Sequence, residues 1–94
     1  MSYIMISNWS TQEWTTEMDE IGQSKFVPMI MSVGATEVQM VRTGENNLSV
    51  ISHFTSSEAA AQAKEKIAAI RSQAATELPM TMLDAKEGEV FACS

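Results

Sequence analysis

The stretch Thr36–Phe54, TEVQMVRTGENNLSVISHF, decides how the chain folds. Thr36 to Arg42 and Leu48 to Phe54 alternate in character from residue to residue, the period of a strand that buries one face. Gly44, Glu45, Asn46 and Asn47 between them are turn residues, so the segment predicts an antiparallel hairpin. If Thr43 faces Asn47, Met40 pairs with Val50, Val38 pairs with Ser52, and Arg42 lies beside Leu48. This register gathers Val38, Met40, Leu48, Val50 and Phe54 on one face and leaves Glu37, Gln39, Ser49 and His53 on the other. A slip of one residue would mix the two sets, which is costly when a face is buried.

Upstream, Tyr3 to Trp9 (YIMISNW) is a short apolar run of strand character. Ser10 and Glu13 have the spacing of a capping box, with Trp9 and Trp14 as its hydrophobic staple, so a helix is expected to start there. Trp14, Met18 and Ile21 form its apolar stripe. Gly22 weakens that helix and Pro28 cannot lie in its interior, which predicts an interruption near Gly22 to Ser24 and a restart capped by Ser24. Gly34 is the expected left-handed stop. Downstream, Thr55 and Glu58 form a second capping box, opening an Ala-rich helix with Ala63, Ile67, Ile70 and Ala74 on one stripe. Pro79 ends it. A strand is expected over Met80 to Asp84, then a turn at Lys86, Glu87 and Gly88, then a short arm from Glu89 to Cys93.

A length of 94 residues fits one domain spanning 1–94, and 45% hydrophobic with 19% charged residues is a globular balance. The net charge is -6, and the six bases (Lys25, Arg42, Lys64, Lys66, Arg71, Lys86) are scattered. Nucleic-acid binding needs a basic stripe, so no nucleic-acid partner is expected. The same acidity disfavours an anionic membrane surface, and no apolar run approaches the roughly 20 residues of a spanning helix. Met1 to Asn8 carries no basic region of a secretory signal, which points to the cytoplasm. Cys93 is the only cysteine, leaving no internal disulfide and no thiolate zinc cluster.

The order strand, helix, strand, strand, helix, strand is the ferredoxin-like βαββαβ pattern of an α+β fold, with both helices on one face of a four-stranded antiparallel sheet. Tyr3, Met5, Val41 and Ile51 are then expected on the uncovered face. An apolar patch of that size marks an interface, so a homodimer is expected. The chain resembles the dimeric α+β barrel superfamily, which includes antibiotic biosynthesis monooxygenase-like proteins, muconolactone isomerases and heme-degrading monooxygenases. The resemblance lies in element order, length, the interrupted first helix before VGAT (Val33 to Thr36) and the C-terminal arm. It implies two sheets closing into a barrel across a dimer, with a ligand in the cleft between sheet and helices. Asn8 in ISNW matches an asparagine that some members carry near the end of the first strand. The heme-ligating histidine of the second helix has no counterpart between Thr55 and Leu78, and Phe54 is the nearest aromatic to the expected tryptophan of the third strand.

His53, the only histidine, needs a partner to set its tautomer for acid/base work, and Glu37 is its cross-strand neighbour. The pair equally suits a half-exposed strand contact. Asn8, alternating with Ile4 and Ile6, is expected to point between sheet and helices, where its amide could orient a ligand; a turn asparagine is the structural alternative. His53, Glu37 and Asn8 are therefore the candidate catalytic residues, and Trp9, Trp14, Tyr3 and Met40 the candidate ligand contacts. The eight methionines are distributed along the chain and suit core packing as well as an adaptable pocket. No metal-ligand spacing, phosphate loop or nucleophile elbow occurs, and no cofactor is expected. Two functions fit: a cofactor-independent, oxygenase-like or isomerase-like enzyme acting on a small apolar or aromatic compound, or a non-catalytic dimeric binding or accessory protein.

Overall fold

A computed structural model describes residues 2–94. Strands β1 (Tyr3–Thr11), β2 (Glu37–Gly44), β3 (Asn47–Phe54) and β4 (Met80–Glu89) form one antiparallel sheet in the order β2-β3-β1-β4. The hairpin pairs as its alternation requires: Met40 with Val50, Val38 with Ser52 and Arg42 with Leu48. It closes one residue differently. Gly44, not Thr43, faces Asn47, and the ladder shifts between Arg42 and Gly44. The Arg42 guanidinium donates to the Glu45 carbonyl at 2.6 Å across this turn.

The first helix begins later than the Ser10 capping box implies. Ser10 pairs with Asn47 and Thr81, and the Thr11 amide donates to the Asn46 carbonyl, so the ladder takes the residues that would have capped a helix. Thr15 is the cap instead, its hydroxyl accepting from the Met18 amide, and α1 spans Thr16–Ile21. Trp14 stands just before this cap and reaches Asp19 in the first turn. The link is a hydrogen bond from the indole, not a hydrophobic staple, and Trp9 belongs to the sheet.

The expected interruption is a π-helical turn over Gly22–Phe26, followed by α2 (Val27–Ser32) with Pro28 in its first turn. Ser24 does not cap the restart; its hydroxyl donates to the Glu20 carbonyl at 2.6 Å. Pro28 lacks an amide and crowds the carbonyl four residues back, so the ladder widens there. Met18, Gly22, Phe26 and Ile30 are all buried at four-residue intervals. A regular α-helix would turn such a series by about 40° per step, and the wider turn takes part of that rotation back. A Cβ on Gly22 would stand 3.1 Å from the Met40 sulfur, so glycine lets the helix approach β2. Gly34, at φ 117°, ends the segment as expected.

Helix α3 (Ser57–Glu77) is capped by Ser56, whose hydroxyl accepts from the Ala59 amide, one residue beyond the Thr55 box. It buries Ala60, Ala63, Ile67 and Ile70, and its alanines allow close approach to the sheet. β4 is continuous where a turn and arm were expected: Lys86, Glu87 and Gly88 stay paired with Ile6, Met5 and Ile4. Pairing to β1 overrides the local turn preference of these residues. Beyond it the Val90 amide donates to the Ser2 carbonyl, and Phe91 projects into solvent, 91% exposed.

The core lies between the sheet and the helices, with Met5, Phe26, Phe54, Ala60 and Ile67 at its centre. β1 buries every second residue from Met5 to Thr11. Directly opposed residues share a face, and Tyr3 opposes Phe54 while Met5 opposes Ser52. Tyr3 and Met5 therefore lie on the helix side, not on the open face. The apolar residues of the open face are Ile4, Ile6, Val41 and Ile51, and Asn8 lies with them rather than between sheet and helices.

Candidate functional site

Between the sheet and the helices lies a cleft of about 670 Å³. Its sheet wall includes Ser7, Trp9, Met40, Val50 and Ser52; its helical wall includes Phe26, Ile30, Ile67 and Ala74. The volume lies in the range of small-molecule sites, and the lining is mainly apolar. The π turn contributes Gly22, Gln23 and Phe26. Four groups that carry charge or an aromatic face also border it: Trp14, Asp19, Arg42 and Arg71.

Three of those four already have partners. The Trp14 indole donates to Asp19 at 2.9 Å, and the Arg42 guanidinium stacks 4.4 Å from the Trp14 ring centre. Arg71 is half-buried, and burial lowers its hold on its proton. Among the described residues it makes no side-chain hydrogen bond and no ion pair. Arg71 follows Ile67 by four residues, which places it beside the buried stripe of α3. That spacing was the available signal in the sequence, masked by the expectation that a charged residue faces water.

Of the expected ligand contacts, Trp9, Trp14 and Met40 line this cleft. Trp9 is 3% exposed, and its indole donates to the Ser7 hydroxyl at 2.7 Å, so core packing holds it fixed. Tyr3 lies elsewhere. Its hydroxyl donates to Glu87 at 3.0 Å, and this bond raises the tyrosine pKa. Lys64 pairs with the same carboxylate at 3.0 Å and holds it below the ordinary glutamate range.

The candidate catalytic residues lie across the sheet from the cleft. His53 and Glu37 are cross-strand neighbours with Nε2 and Oε2 3.7 Å apart, beyond hydrogen-bond length, and the imidazole Nε2 is enclosed without a partner. Asn8 sits in a separate polar chain: the Ser49 hydroxyl donates to its carbonyl oxygen at 2.5 Å, and its amide donates to Asp84 at 2.7 Å. Asn8 opposes Ser49 and Ile4 opposes His53, so Asn8 and His53 stand four strand positions apart. That is about 14 Å along the strands at a rise of about 3.4 Å per residue. The structure brings His53 and Glu37 together and leaves Asn8 apart from both. Among the described residues, no three His, Cys, Asp or Glu side chains group as metal ligands, and no helix is long and apolar enough to cross a membrane.

The sheet order, with both helical segments on one side of an antiparallel four-stranded layer, decides the architecture. The fold is ferredoxin-like. Two solved structures share it along nearly the whole chain. A protein of unknown function from Nitrosomonas europaea is 19% identical, with a TM-score of 0.66, over 100% of this chain and 94% of that one. A dimeric ferredoxin-like protein from an uncultured marine organism is 11% identical, with a TM-score of 0.67, over 99% of this chain and 98% of that one. No family model matches the chain, and no curated protein matches it in sequence.

Proposed function

We propose that this protein is a homodimer that binds a small apolar or aromatic compound in the cleft between its sheet and helices. The observation that carries the reading is the cleft itself, about 670 Å³ and lined by Trp14, Phe26, Ile30, Met40 and Val50. Ile4, Ile6, Val41 and Ile51 on the open sheet face, with the exposed Phe91, supply the apolar surface for a second copy. The dimeric state of the marine ferredoxin-like protein supports the same assembly. A thermal-shift screen against aromatic acids, phenols, lactones and short aliphatic compounds tests it. A ligand that binds only the native state raises its melting temperature. No shift with any compound at millimolar concentration rejects the reading.

A second reading, a cofactor-independent monooxygenase-like or isomerase-like enzyme, draws on one observation. The enclosed, unpartnered His53 Nε2 beside Glu37 would face the interior of a barrel formed by two sheets. Such a group could take a proton from a bound substrate, with Asn8 as a positioning amide. His53→Ala that turns over an identified substrate at the wild-type rate eliminates this role.

A further inference from the structure

We propose that the cleft takes its ligand as an organic anion, an apolar body bearing one carboxylate that pairs with the Arg71 guanidinium. The inference rests on the reading of the cleft as a ligand site and adds the ligand's charge. Lys25 and Lys64 have carboxylate partners, Glu77 and Glu87, and Arg42 is held by the Glu45 carbonyl and the Trp14 ring. Arg71 alone among the cleft-lining bases has no such partner among the described residues, although it is half-buried and borders the cleft.

The nearest acids are engaged with other groups and make no contact with Arg71 at hydrogen-bond or ion-pair distance. Glu87, whose charge is felt at Arg71, is engaged by Lys64 and by the Tyr3 hydroxyl. Asp19, the acid on the cleft wall, accepts from Trp14. A half-buried guanidinium is only partly hydrated, and a planar carboxylate satisfies its forked donors two at a time. One unpartnered guanidinium suits a single negative charge, since Arg42, the other cation on the cleft wall, is held by the Glu45 carbonyl and the Trp14 ring. Phe26, Ile30 and Val50 accommodate the hydrocarbon part.

The test is calorimetric titration of the full chain at neutral pH with naphthoate and with the neutral, near-isosteric naphthamide. The expected result is at least tenfold tighter binding of the acid, about 1.4 kcal/mol. Arg71→Met should bring the acid-to-amide affinity ratio to about one, and Arg71→Lys should keep part of the preference. Circular dichroism and melting temperature verify that each variant is folded; if Arg71→Met is not, the acid-to-amide ratio of the wild type and of Arg71→Lys decides. Equal affinity for acid and amide in the wild type, or a preference that survives Arg71→Met, overturns the anionic ligand and leaves the apolar site standing. Failure of both compounds to bind overturns both readings.

Discussion

The two faces of the sheet are made from the same strands yet hold opposite kinds of chemistry. The helix-covered face carries Met5, Trp9, Leu48 and Phe54, all buried, and its side-chain hydrogen bonds between strand residues include the link from Trp9 to Ser7 in the interior and that from Tyr3 to Glu87 at the edge. The other face alternates isoleucines with ionisable and amide groups: Ile4, Ile6 and Ile51 stand among Asn8, Asp84, Glu37 and His53. A core face needs only volume and shape, because water never returns to it. A face that meets a second subunit must also fix a register, and directional polar contacts do that better than hydrocarbon. In the proposed dimer the first face serves stability and the second serves recognition.

Substitutions should separate the two roles. The largest effect is expected at Phe54, which is 0% exposed: Phe54→Ala should cost about 3–5 kcal/mol, read from the urea midpoint, through loss of burial and a residual cavity. Paired changes on the other face, Ile6→Asp with Ile51→Asp, should weaken self-association by more than tenfold in sedimentation equilibrium while leaving the circular dichroism spectrum intact. If the spectrum collapses instead, the isoleucines belong to the fold and not to an interface. Trp9→Phe removes the donor to Ser7 and should cost about 1–3 kcal/mol. Asn8→Ala, on the exposed side, should cost about 1 kcal/mol or less in chain stability and show its larger effect on dimer affinity.

The smallest effect is a pH dependence at the edge of the helix-covered face. The Lys64 contact lowers the Glu87 pKa, with Tyr3 adding to it. A carboxylate depressed in the folded state stabilises above its unfolded value of about 4.3, and that contribution disappears as pH falls through the folded value. Glu87→Gln should therefore lower stability at neutral pH and flatten the acid limb of a stability–pH profile. An unchanged acid limb would mean that the pair is fully screened by solvent.

The hairpin was legible because its two strands alternate cleanly, and the pairing of Met40 with Val50 follows from that alone. β1 was not. Tyr3, Ile4, Met5 and Ile6 are all apolar, so periodicity cannot say which of them meets the helices; only opposition to Phe54 and Ser52 settles it. The same ambiguity put Asn8 on the wrong side of the layer. Both helix caps fell short by competition: the ladder drew Ser10 into β1, and at α3 two hydroxyl neighbours, Thr55 and Ser56, could each serve. The cleft was readable through Trp14 and Met40, whereas Arg71 was concealed by its own charge.

The π turn has a consequence for how this architecture can change over evolution. With one residue deleted from it, Met18, Gly22, Phe26 and Ile30 would stand at intervals of four, three and four, the spacing of an unbroken α-helical stripe. The hydrophobic seam thus tolerates either chain length at this point. Gly22, Gln23 and Phe26 border the cleft, so a single-codon insertion or loss there would remodel the chamber while sparing the interior that supports it.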